Sequence, residues 1–315
     1  MSAADSQQAI PNVRVDLREL LALRGPAAQL AQVAVSRTRE DMGGAHASPF
    51  RGRGMEYAES RPYAAGDDVR HIDWRVTART GKTHTKLFQP ERDRSTGIVY
   101  DASPSMAFGT RGCFKSVQAA RLAALMVWHA LREGDRLAAA VCGTTNETLP
   151  PMGGRRGALR LLDAIERWQP VGRADTTREP ATLARALDHM NRLLRPGSRV
   201  LLLLDPRSLD AAAGSALTRL HAHHDIAALL IADALELAAP PRGDYRVGDG
   251  QNIAHAHLET DLARARWNRH FIEQQEAAAA ILKRNAVRHR IVSTRDDPVA
   301  ALRALLGKPA REAVA

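Results

Sequence analysis

The chain has 315 residues, 44% of them hydrophobic and 4% aromatic, with a formal net charge of +10. That length holds one large α/β domain plus a smaller element, or two medium domains, around a core of Leu, Val, Ile and Ala. No apolar run approaches the length of a membrane span, the first residues lack a signal-peptide core, and the arginines are interleaved with acids rather than gathered into a nucleic-acid arm. A cytoplasmic protein is therefore expected, with no transmembrane segment and no nucleic acid as partner. Cys113 and Cys142 form no CxxC pair, a usage that fits a reducing compartment.

In chain order, residues 1 to about 10 carry no structural pattern, and apolar spacing from Val13 to Val33, broken at Gly25-Pro26, predicts two short helices. Residues 34 to 54 are rich in Arg, Gly and Ser and are expected to be loop. A block follows in which charges of both signs alternate with aromatic and aliphatic residues: Gly54-Met55-Glu56-Tyr57, then Gly66-Asp67-Asp68 and Ile72-Asp73-Trp74. Ion pairs of Asp67, Asp68 or Asp73 with Arg61, Arg70 or Arg79 are the expected use of these acids. Ala78 to Phe88 has the pattern of a hairpin turning at Thr80-Gly81-Lys82.

From residue 96 strands and helices alternate, which implies right-handed crossovers and a parallel sheet. Strands are expected at Thr96 to Tyr100, Arg136 to Cys142, Val200 to Leu204, Asp225 to Ile231 and Arg290 to Ser293, with an added antiparallel strand at Asn146 to Pro151. Helices are expected at Lys115 to Arg132, Leu159 to Trp168, Leu183 to Leu194, Ser208 to His221, Leu262 to Asn285 and Val299 to Leu306.

Ile98 to Met106 is the stretch with chemistry in it. An apolar strand ends in Asp101, and Ser103 and Ser105 follow at alternate positions, with Pro104 stiffening the loop between them. Asp and Ser after a strand also make capped turns. All three side chains are oxygen donors, as a hard cation such as Mg²⁺ prefers, and open α/β sheets place ligands at the carboxyl ends of their strands. Asp205 closes a second buried strand and would emerge on the same edge of a parallel sheet.

The D-x-S-x-S pattern resembles the metal-ion-dependent adhesion site (MIDAS) of von Willebrand factor type A (VWA) domains. Gly52 to Arg79 reads G-x-G-M-E-Y-x-E-x-R-x-Y-x-x-G-D-D-x-R-x-I-D-W-x-x-x-A-R, and Phe88 to Met106 carries F-x-x-E-R-D and D-x-S-x-S-M. These two blocks resemble the bacterial family catalogued as Domain of Unknown Function 58. The resemblance implies a VWA-like doubly wound, mostly parallel sheet with helices on both faces over residues 95–315. It is preceded by an N-terminal segment, 1–94, with helices, a mobile loop and a small β-rich element. It implies a metal set of Asp101, Ser103, Ser105, a threonine and Asp205. Thr182 is the chosen threonine, with Thr176 and Thr177 as alternatives, and Mg²⁺ is the expected ion, Mn²⁺ or Ca²⁺ being compatible. Genes of the family commonly neighbour MoxR-type AAA+ ATPases, which implies such an ATPase, or a client protein offering a carboxylate, as partner. Many members carry two N-terminal membrane helices, which this sequence lacks.

An enzyme is the competing class. Phosphatases of the haloacid-dehalogenase type want a second Asp two residues after the first, where this chain has Ser103. The G-x-S-x-G elbow of a serine hydrolase is missing, and Gly81-Lys82-Thr83 lacks the first glycine of a P-loop, Val76 standing in its place. His221, His223 and His224 cluster at a helix end, with no cysteine or carboxylate pattern to complete a zinc site. The reading is a non-enzymatic, metal-dependent interaction protein, the alternative a hydrolase or phosphatase using Asp101, with nucleic-acid binding through the basic surface a third and weaker class.

Overall fold

The computed structural model describes residues 12–30, 55–64, 67–90, 94–170, 181–248 and 253–307. Two compact units divide them, one containing 12–30 and 94–307, the other 55–90.

The chain enters through helices α1 (Leu17–Ala22) and α2 (Arg24–Ala27). Asp16 caps α1 by accepting from the Glu19 N–H. Leu20, Ala27 and Leu30 are fully buried in the core of the large unit, so these helices belong there and not with the block that follows them. The boundary expected at residue 94 therefore does not hold for these helices, which join the large unit.

The small unit pairs strand β1 (Met55–Pro62) antiparallel with β2 (His84–Pro90), helix α3 (Trp74–Thr80) lying between them in sequence. The hairpin expected from Ala78 to Phe88 is not formed. Asp73 caps α3 through the Val76 N–H, and Gly81 closes it in the left-handed conformation at φ +70°, so the turn residues end a helix instead of joining two strands. The strand before the helix supplies the partner for β2. Asp67 makes the expected ion pair, with Arg61 at 2.6 Å, whereas Asp68 caps the turn through the Arg70 N–H and Asp73 also accepts from the Ser60 hydroxyl, both serving as caps in place of the expected ion pairs.

The large unit runs β3 (Ser95–Ala102), α4 (Lys115–Arg132), β4 (Arg136–Gly143), β5 (Thr148–Met152), α5 (Gly154–Trp168), α6 (Leu183–Leu193), β6 (Arg199–Leu204), α7 (Ala211–His221), β7 (Asp225–Ala232), α8 (Ala234–Leu237), β8 (Asp244–Gly248), β9 (Ile253–His257), α9 (Asp261–Arg284), β10 (Arg288–Ser293) and α10 (Pro298–Leu306). Six strands form one sheet in the order β10-β7-β6-β3-β4-β5, parallel except for β5. This is the doubly wound α/β form expected of a VWA-like domain. Alternate side chains of β3 feed two cores. Ile98, Tyr100 and Ala102 pack with α4, α5 and α10, and Val99 packs with α6, α7 and α9. The hairpin β8–β9 and the short α8 were not anticipated, because a polar, half-exposed five-residue strand carries too weak an alternation.

β3 is the pivot of the sheet. Chain order reverses around it: β4 lies on one side, β6 on the other, then β7 and β10. Sheets of this kind open a crevice where order reverses, at the carboxyl ends of the strands. Among the described residues no helix is long and apolar enough to cross a membrane.

Candidate functional site

Asp101 sits at the carboxyl end of β3, fully buried. One carboxylate oxygen accepts from the Ser103 backbone N–H at 2.9 Å. The other accepts from the Asp205 N–H at 3.0 Å and from the Ser208 hydroxyl. A single side chain thus ties the loop after β3 to the turn after β6. Burial pushes its pKa up, and the donors from Ser208, Asp205 and Ser103 offset only part of that.

Ser103 and Ser105 occupy the turn that follows, their hydroxyl oxygens 2.9 Å apart. Octahedral Mg²⁺ with ligands at about 2.0–2.1 Å places neighbouring oxygens about 2.9 Å apart, so the pair already has the spacing of two adjacent ligands. Gly143, at φ +104°, presses against this turn, and a Cβ there would fall 2.3 Å from the Ser103 nitrogen. Only glycine fits. Thr144 adds a hydroxyl bond to the Ala102 carbonyl at 3.1 Å.

Asp205 follows β6 beside Asp101, as the sequence suggested, but its carboxylate faces another way. The ammonium of Lys115, at the first turn of α4, donates to it at 2.7 Å and to both Glu236 oxygens at 2.8 and 3.0 Å. Lys115 is 0% exposed. Arg207 donates to Asp205 from backbone and guanidinium. Burial alone would raise the Asp205 pKa, but Lys115 and Arg207 outweigh it and hold the carboxyl well below the usual range. Two neighbouring carboxylates at one sheet edge are therefore driven in opposite directions.

Thr182 caps α6, accepting from the Arg185 N–H at 3.3 Å. It stays on the same sheet end, since Ala181 just before it bridges Gly143 in both directions, at 2.8 and 3.1 Å. Its hydroxyl serves the helix. Thr176 and Thr177 lie outside the described residues.

Sequence reasoning missed Lys115, Glu236, Arg207 and Ser208. One signal was available: Asp233-x-x-Glu236 spells a capping box, and the structure forms it, Glu236 accepting from the Asp233 N–H. Lys115 gave none, because a lysine opening a helix normally reaches solvent.

The donor set fits a hard cation in part. The two hydroxyls and Asp101 suit it, whereas Asp205 is already neutralised from within the chain. Among the described residues no cluster of three or more His, Cys, Asp or Glu side chains is placed to hold a metal, so a cation at this edge would rest on hydroxyls. The histidine group gives no zinc site. Burial lowers the His224 pKa to about 4, helped by neighbouring His223, and its Nδ1 is buried without a partner among the described residues. Both cysteines are buried and free.

The family model described as protein of unknown function DUF58 matches residues 59–277. The chain belongs to this family. Among curated proteins, this DUF58 chain is 31% identical over 231 residues to uncharacterized proteins of Mycobacterium bovis and Mycobacterium tuberculosis, covering 70% of its own length and 68% of theirs. Among solved structures it is similar to the conserved hypothetical protein BatB of Bacteroides thetaiotaomicron, with TM-score 0.46, 16% identity and coverage of 68% and 95% of the two chains. It is also similar to a von Willebrand factor type A protein of Catenulispora acidiphila, with TM-score 0.40, 14% identity and coverage of 72% and 44%.

Proposed function

We propose that this DUF58 chain is a non-enzymatic, VWA-like interaction protein whose sheet edge recruits a partner through a divalent cation, acting in the cytoplasm with a MoxR-type AAA+ ATPase. The observation that carries the reading is the Ser103–Ser105 hydroxyl pair, 2.9 Å apart, beside the buried carboxylate of Asp101. Ser103 and Ser105 would hold the ion, and Asp101 would supply the negative charge that Asp205 has committed to Lys115. Mg²⁺ suits so sparse a donor set because it keeps several waters, one of which a partner carboxylate can replace. Bound there, the ion supplies Lewis acidity for recognition. The chain's residues do the rest: Asp101 fixes both loops, Gly143 presses the serine turn into place, and Lys115 keeps Asp205 from competing for the ion.

Calorimetric titration with MgCl₂ tests the metal. Saturable heat in wild type that disappears in Asp101→Ala is expected, and equal heat in both rejects the site. Co-purification with the MoxR-type ATPase, with and without chelator, tests the partnership, and a complex indifferent to chelator rejects metal-mediated docking. Turnover of a generic phosphoester lost in Asp101→Ala would favour the hydrolase reading instead.

A further inference from the structure

A cavity of about 380 Å³ opens one residue past the serine turn, its wall beginning at Ala107. Phe108, Phe114, Leu235 and Tyr245 give it an apolar lining, and Arg111 and Arg246 stand exposed at its rim. Neither arginine makes a side-chain hydrogen bond or ion pair with the described residues. Most of the neighbouring charges are otherwise engaged: Asp244 is bound to His257, Asp261 to Arg242, and Asp233 to the Thr110 and Thr294 hydroxyls. Two guanidinium groups with no counter-ion among the described residues, beside an aromatic hollow, are complementary to acidic side chains flanking an apolar one.

The walls are built rather than incidental. The loop carrying Phe108 and Arg111 is pinned by Thr110, which donates to Asp233 through both its N–H and its hydroxyl. Gly109 allows the tight return of that loop, since a Cβ there would lie 2.3 Å from the Cys113 carbonyl oxygen. On the far side Trp267 of α9 donates to the Leu235 carbonyl at 2.7 Å, and Arg264 to that of Pro240 at 3.1 Å. A pre-formed pocket needs little ordering when it is filled.

We infer that this cavity takes an acidic segment of a partner protein, with one apolar or aromatic side chain in the hollow and carboxylates on Arg111 and Arg246. The inference rests on reading this sheet edge as a recognition surface, and it adds the partner's chemistry: an anchor beside the ion, flanked by acids.

The probe is a fluorescein-labelled Glu-Asp-Phe-Asp-Glu peptide followed by anisotropy. Saturable binding is expected, roughly tenfold weaker in an Arg111→Glu/Arg246→Glu double variant and unchanged in Arg155→Glu, an exposed charge reversal on α5. Both rim arginines are exposed, so the double variant should melt with wild type. Loss of binding when Phe becomes Ala in the peptide supports the hollow as anchor. Absence of saturable binding, an equal loss in Arg155→Glu, or equal binding of Lys-Lys-Phe-Lys-Lys overturns the inference. Magnesium calorimetry on the same proteins separates the two proposals: magnesium heat without peptide binding strikes only the pocket, and peptide binding without magnesium heat strikes only the metal.

Discussion

The turn after β3 and the turn after β6 begin alike, each with a carboxylate at the end of a buried parallel strand, and they end differently. Around Asp101 every partner is a neutral donor: two backbone N–H groups and the Ser208 hydroxyl. Around Asp205 the partners are cations of the chain itself, Lys115 from beneath and Arg207 from the rim. The first arrangement leaves a buried carboxyl group with no ion-pair partner among the described residues. The second supplies one at 2.7 Å. A carboxylate already paired with the chain's own cations has little left to offer another ion, so in the proposed reading Asp101, and not Asp205, is the acid that serves the metal.

The sharpest way to break the contrast is Lys115→Met. It leaves Asp205 and Glu236 buried without their ammonium, and a loss of about 3–5 kcal/mol is expected in denaturant unfolding. Magnesium affinity in the surviving folded fraction should rise, as Asp205 is released. A melt equal to wild type would mean that the cluster contributes nothing to stability.

Asp101→Ala should cost less, about 1–3 kcal/mol, because it orphans neutral donors rather than charges, and it should abolish magnesium binding. Acidification sharpens the same comparison. The Asp101 pKa is raised, so protonation there removes the site's charge, and magnesium heat should fade at a pH above the ordinary aspartate value of 3.8. The raised value also means that ionised Asp101 opposes folding at neutral pH, and this penalty lifts as pH falls. Asp205 runs the other way. Its depressed pKa contributes stability that is fully present above 3.8 and lost only as pH falls through the lower folded value. Metal binding should therefore fail before the Lys115 cluster opens. Loss of both at one pH would contradict the separation.

Thr182→Ala removes a helix cap and should cost about 1 kcal/mol. Magnesium heat should be unchanged if its hydroxyl serves only α6, whereas a weakened heat would restore it to the metal set. The smallest effect on stability belongs to Ser103→Ala and Ser105→Ala, under about 1 kcal/mol each, because their hydroxyls bond chiefly to one another. Yet magnesium affinity should fall about tenfold or more in either. Stability and metal binding are thus expected to rank the variants differently, Lys115→Met costing the most stability and no magnesium affinity, and the serine variants the reverse.

Local pattern was enough to place the strands of the main sheet and its helices, because continuous apolar runs such as Val200 to Leu204 and the long amphipathic α4 need no distant partner to declare themselves. It also determined that Asp101, Ser103, Ser105 and Asp205 would share one edge, since parallel strands deliver their ends to the same rim. Where the charges went depended on long-range packing. Lys115 and Glu236 are 121 residues apart, and Asp205 meets Lys115 across 90. Contacts of that range leave no local pattern. The same holds for α3, where Asp73 and Gly81 bound a helix in residues whose spacing suited a hairpin, and β2 pairs with β1 instead. Local periodicity specifies elements, but which ions neutralise one another is set only when the elements pack and water is excluded from between them.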